Sequence, residues 1–86
     1  MVKTRARSHL VVRVPGVHGG EPVIRGTRVP VRSIVVAYDQ HGGDLERVGE
    51  AYLVGREAIE AALAYYEAHR GEIDRIIAKR ERDAMA

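Results

Sequence analysis

The stretch Gly19-Gly20-Glu21-Pro22-Val23-Ile24-Arg25-Gly26-Thr27-Arg28-Val29-Pro30-Val31 decides how this chain folds, because it sets three glycines and two prolines among short β-branched runs. Apolar residues alternate on both sides of Gly26-Thr27-Arg28, the pattern of a short extended stretch or a tight hairpin. Pro22 and Pro30 bring no N–H to a ladder, so these pieces belong at an edge, and such an edge is open to pairing with its twin in a dimer. Turn chemistry sets the expected roles: Gly26 with a positive φ, Thr27 bonded to the local backbone, and Arg28 tying strand to helices through carbonyls or a carboxylate. Arg25 follows the apolar Val23 and Ile24 and is expected to face solvent.

Upstream, Leu10-Val11-Val12-Arg13-Val14 is stopped by Pro15-Gly16, which reads as a short strand and a turn. Residues 1–8 are polar, basic and aperiodic, and are expected to form a flexible arm. Downstream the period changes. Val31, Ile34, Val35 and Tyr38 recur at helical spacing as far as His41-Gly42-Gly43, and Asp44 caps a second helix with Leu45, Val48 and Tyr52 on one face. Beyond Leu53-Val54-Gly55, the residues Ile59, Ala62, Leu63 and Tyr66 define a longer third helix to about His69. Gly71 is expected to interrupt, and a final amphipathic helix from Glu72 to about Asp83 places Ile73, Ile76 and Ile77 on a narrow stripe. The expected fold is mainly α: a homeodomain-like three-helix core of helix-turn-helix type with a short N-terminal β element and an appended C-terminal helix. Its parts are the arm 1–8, a single trihelical domain 9–70, and an amphipathic helix and tail 71–86.

Composition narrows the class. A chain of 86 residues has room for one domain and buries only roughly 60% of its unfolded surface. Apolar residues make up 45% and charged residues 30%, as in an ordinary globular domain, but there is no Phe and no Trp. Bulk rests on Val, Ile, Leu and the tyrosines Tyr38, Tyr52, Tyr65 and Tyr66, which leaves few large anchors and predicts a homodimer or higher oligomer. The absence of Cys excludes disulfides, Cys-based zinc sites and a thiol nucleophile. The N-terminus lacks the apolar core of a signal peptide, and no apolar run approaches the ~20 residues of a spanning helix. The expectation is a cytoplasmic protein without membrane contact.

The net charge of +2 hides an asymmetry. Residues 1–32 carry Lys3, Arg5, Arg7, Arg13, Arg25, Arg28 and Arg32 against Glu21 alone, whereas residues 33–86 hold more acids than bases. A basic front and an acidic back suit two kinds of partner. Arg56 and Arg70 stand against Glu57, Glu60 and Glu67 on the third helix, so phosphates would repel it as a recognition helix. The candidate DNA contacts are therefore Lys3, Arg5, Arg7, Arg13, Arg25 and Arg32, with a merely solubilising tail the competing reading for the arm. The final helix admits two readings. Its stripe either packs on the core or a dimer mate, or serves as a partner-binding helix through Ile73, Ile76, Ile77 and Arg80.

Catalytic and metal chemistry find no support. His9, His18, His41 and His69 are scattered, and Asp39, His41 and Asp44 straddle a helix end and a glycine turn, so they read as solvated polar residues. Ser8 and Ser33 lack a neighbouring base, and the Lys-Ser/Thr that must follow a phosphate-cradling glycine loop is missing. No cofactor and no enzymatic activity are expected.

The run from Gly19 to Val31 resembles the signature of a bacterial family catalogued as domain of unknown function 433, Gly-Gly-x-Pro-Val-Ile-x-Gly-Thr-Arg-x-Pro-Val, with every fixed position filled. The resemblance extends over residues 9–70, departing at Val14, where relatives tend to have Asp, and at Gly55, where they often have Thr or Ser. It implies a trihelical core preceded by short strands, and the role of antitoxin in a type II toxin–antitoxin pair, binding and neutralising a PIN-like nuclease and autoregulating its promoter. The toxin contacts named on the final helix lie beyond the family pattern. Two alternatives stand beside the antitoxin: a stand-alone helix-turn-helix transcriptional regulator, and a structural protein-interaction module without nucleic acid.

Overall fold

A computed structural model describes residues 9–85. Two three-residue strands, β1 (Val11–Arg13) and β2 (Pro22–Ile24), pair antiparallel with Val11 opposite Ile24 and Arg13 opposite Pro22. Four helices follow: α1 (Val31–Gln40), α2 (Leu45–Tyr52), α3 (Arg56–Ala68) and α4 (Arg70–Met85). The chain is thus mainly helical with a short antiparallel element near its N-terminus.

The connection from β1 to β2 is a left-handed turn. His18, Gly19 and Gly20 take φ values of 50°, 67° and 85°, a region that costs an L-residue with a side chain roughly 1–2 kcal/mol and glycine nothing. This Gly-Gly turn delivers Glu21 into the interior, where it is 8% exposed. The turn after β2 is built by Thr27, as its residue type predicts. Its Oγ1 donates to the Ile24 carbonyl at 2.8 Å and accepts from the Val29 N–H at 3.0 Å, while Gly26 stands at φ 79°. Val23 bridges to Pro30, which then starts α1.

The helix boundaries follow local chemistry. Asp44 caps α2 by accepting from the Glu46 and Arg47 N–H groups at 3.0 and 3.2 Å. α2 ends in a Schellman-type stop, with the Val54 N–H donating to the Gly49 carbonyl at 3.1 Å and Leu53 left-handed at φ 57°. A Cβ on Gly49 would sit 3.0 Å from the Val54 carbonyl oxygen and 3.4 Å from Ile59 Cδ1, so glycine lets α3 close onto α2. The break between α3 and α4 falls at His69, not at Gly71. The His69 ring stacks on Tyr65 with centroids 4.0 Å apart, and its Nδ1 donates to the Tyr65 carbonyl at 3.0 Å. Helix α4 therefore starts at Arg70 and runs through Gly71.

The core is made of β-branched residues and alanine: Ile24, Val31, Ile34, Ala37, Val48, Ile59, Ala62 and Ile73. Ile73 is completely buried in this cluster, with Ile76 and Ile77 half-buried against it. The C-terminal helix is part of the same hydrophobic unit as the trihelical core, which resolves the two sequence readings of its stripe in favour of packing in this conformation. Replacing Ile73 with Ala is expected to lower unfolding free energy by about 2–5 kcal/mol. Circular dichroism should then show α4 and the trihelical core melting in one transition; a lone early loss of the C-terminal helix would contradict the shared core.

Candidate functional site

The charged side chains divide into those spent inside the molecule and those left facing solvent. Glu21 is the hub of the first group. Its Oε1 accepts from Arg32 Nε of α1 at 2.9 Å, and its Oε2 accepts from Arg80 Nη2 of α4 at 2.7 Å. Arg13 at the end of β1 makes a second clamp onto α4, pairing with Glu72, donating to the Tyr65 hydroxyl at 2.6 Å and reaching the Gly20 carbonyl at 3.4 Å. Burial raises the Tyr65 hydroxyl above the usual tyrosine value, so it stays neutral as a donor to Glu72 Oε1 at 3.4 Å.

A groove of about 540 Å³ runs between the Gly19-Gly20 turn and α4. Of its four cations, Arg13, Lys79 and Arg80 are paired with Glu72, Asp83 and Glu21, while Arg75 has no ion pair among the described residues. The Arg13–Glu72 and Arg80–Glu21 pairs cross the groove and make it a seam holding the hairpin to α4. On α3, Arg56 pairs with Glu60 at 3.1 Å and Arg70, just beyond it, with Glu67 at 3.0 Å.

The cations proposed from sequence for DNA separate accordingly. Lys3, Arg5 and Arg7 lie outside the described residues. Arg13 and Arg32 are engaged by Glu72 and Glu21. Arg25 is exposed on the turn after β2, without an ion pair among the described residues. Arg28, expected to tie the turn to the helices, instead leaves its guanidinium exposed; only its carbonyl is used, accepting from His18 Nε2 at 2.9 Å. Arg25 and Arg28 therefore stand on one turn with Gly26 and Thr27 between them. The Arg25 N–H donates to the Leu10 carbonyl at 2.8 Å, which sets the start of β1 beside this turn.

The residues proposed for toxin contact are likewise dispersed. Ile73 is in the core, Arg80 is held by Glu21, Ile76 faces the hairpin seam, and Ile77 lies on the other side of α4 against α1. Leu53 was not anticipated. It is 91% exposed, and it borders a depression of about 750 Å³ with Leu45, Val54, Glu46 and Glu50 around it. The sequence does hold a signal for it, because Leu53 falls outside the Leu45, Val48, Tyr52 face of α2. Among the described residues no cluster of three or more His, Cys, Asp and Glu side chains is placed to hold a metal ion, and no helix is long and apolar enough to cross a membrane.

Replacing Glu21 with Gln leaves two guanidinium groups without their shared carboxylate. Loss of a partner from a fully buried pair costs about 3–5 kcal/mol; the 45% exposure of the Arg80 side chain lowers the expected loss to about 2–3 kcal/mol. Urea unfolding should show it, and a change within experimental error would remove Glu21 as the hub.

The family described as "Protein of unknown function (DUF433)" matches residues 11–66, from β1 to near the end of α3. The crystal structure of a DUF433 member protein from Anabaena variabilis ATCC 29413 superposes with a TM-score of 0.71 at 36% identity, covering 90% of this chain and 76% of that one. No curated protein matches the chain. The match spans the hairpin, the Gly-Thr-Arg turn and the three core helices, and the chain belongs to the DUF433 family.

Proposed function

We propose that this chain is the antitoxin of a type II toxin–antitoxin pair, gripping its operator DNA with the basic end of the hairpin and a PIN-like nuclease with the Leu53 turn. The observation that carries the reading is the segregation of charge. The guanidinium groups of Arg25 and Arg28 are exposed and uncommitted among the described residues on one turn, which the Arg25 N–H ties to Leu10. Cations that are neither buried nor paired attract phosphates without a desolvation penalty.

Helix α3 is the position from which a helix-turn-helix protein reads bases, but its arginine is matched by Glu60 and its surface carries Glu57 and Glu67 as well. The proposed grip is thus on the sugar-phosphate backbone, which sets position and affinity, with little base readout. The opposite chemistry surrounds Leu53. An exposed leucine held in a left-handed conformation, with half-buried Leu45 and Val54 and the carboxylates of Glu46 and Glu50 nearby, suits a protein face that is apolar at its centre and basic at its edge.

Two measurements test the two halves separately. Fluorescence anisotropy with a duplex from upstream of the gene should show a log–log salt slope reduced by about 2 for the double variant Arg25→Ala, Arg28→Ala, one counterion release per lost phosphate contact. An unchanged slope overturns the hairpin grip. Co-expression with an adjoining PIN-like nuclease gene should restore growth, and Leu53→Asp should abolish the rescue while DNA binding persists. DNA binding without any rescue by the wild type would leave a stand-alone regulator in place of an antitoxin.

A further inference from the structure

We propose that the outer stripe of α4, Arg75, Lys79 and Arg82, is a second contact for the phosphate backbone of the same duplex, a surface that rests on the DNA-binding reading but lies outside the residues it uses. DNA is then held by two basic ridges, the Arg25–Arg28 turn and α4, with the hairpin groove between them. The three residues stand at i, i+4 and i+7, so they share one face over about 10 Å of helix. All three are exposed and turned away from the buried Ile73. Arg75 and Lys79 line the groove together with His18, Gly19 and Gly20. His18 Nε2 in turn donates to the Arg28 carbonyl at 2.9 Å, so the exposed turn borders the same groove.

The carboxylates nearby are all accounted for. Glu21 is held by both Arg32 and Arg80, Glu72 by Arg13, and Asp83 by Lys79. No other acid lines the groove or belongs to the hairpin. The two remaining carboxylates of α4 are turned elsewhere: Asp74 accepts from the Tyr66 hydroxyl of α3 at 2.9 Å, and Glu81 lines the grooves toward α1. Arg75 and Arg82, like Arg25 and Arg28, have no ion pair among the described residues. The surplus charge on this side of the molecule is therefore positive on both walls.

The form of that surplus selects a duplex backbone. The unmatched cations are spread along two ridges instead of converging on one point, which suits a polyanion better than a single small anion. A duplex presents several phosphates over the length of the α4 stripe, and guanidinium groups bind phosphate in two-pronged fashion. No aromatic side chain lines the groove, and its one large apolar residue, Ile76, is half-buried against the core. Neither base stacking nor insertion into a lipid surface has a side chain to use here.

Fluorescence anisotropy of the full chain on the duplex from upstream of the gene tests the α4 contact. The double variant Arg75→Ala, Arg82→Ala should reduce the log–log salt slope by about 2, with the helical circular dichroism unchanged because both side chains are exposed. Combined with Arg25→Ala, Arg28→Ala, the reductions should add to about 4, since the two ridges hold different phosphates. Removing two cations that stand among the acids of α2 and α3, Arg47→Ala with Arg56→Ala, should leave the slope where it was. A slope lowered by the hairpin variant but not by the α4 variant overturns the α4 contact, leaves the hairpin grip standing and turns the stripe over to an acidic protein segment. Equal reductions from the α4 and the Arg47, Arg56 variants overturn it as well, because net charge alone would then explain them. A wild type that does not bind the duplex removes both contacts together.

Discussion

The carboxylate of Glu21 is the constraint on which the arrangement of the other elements depends. It is the one buried charged side chain among the described residues, and a charge there is tolerable only when guanidinium groups meet it. Arg32 reaches it from the start of α1 and Arg80 from far along α4, so one carboxylate fixes two helices relative to the hairpin. The left-handed turn through Gly19 and Gly20 exists to carry the chain inward at that point. A second clamp, Arg13 to Glu72, repeats the device one helical stretch away, and each clamp spans 59 positions of sequence.

These polar ties matter because the hydrophobic core is made of small units. Its interior is Ile, Val and Ala, and its tyrosines sit at the periphery. Close approach supplies the contact area that large side chains would otherwise give. The missing Cβ of Gly49 brings the α2–α3 turn against Ile59, and the alanines Ala37, Ala61 and Ala62 let helices meet at short range. Helix α4 adds Ile73 to this interior, which is why a segment beyond the family-matched stretch belongs energetically to the domain.

Local chemistry was legible from sequence where it depends on neighbours a few positions apart. The helical spacing of Val31, Ile34 and Tyr38, the Asp44 cap and the Thr27 turn are of this kind, and each took the expected form. The α3–α4 break was misplaced because a glycine costs a helix only about 1 kcal/mol, whereas the stack and hydrogen bond that His69 makes with Tyr65 act through side-chain geometry. The candidate contacts Arg13, Arg32 and Arg80 were read as free cations because periodicity carries no information about a carboxylate dozens of residues away. Glu21 occupies a position that the family signature leaves open, so the resemblance did not mark it either. Arg25 needed only its immediate context, a solvent-facing turn, and was placed correctly on it.

The site of the Arg80 tie along α4 also sets how the helix behaves in time. N-terminal to Arg80, opening α4 means withdrawing Ile73 from the core and separating a carboxylate from its guanidinium groups. C-terminal to it, residues 81–85 are exposed, with Lys79–Asp83 the ion pair across that turn. Amide hydrogens in that last turn should exchange through local fraying, whereas those near Ile73 exchange only when the whole domain opens. The helix is continuous in space, and Arg80 marks where its exchange behaviour is expected to divide.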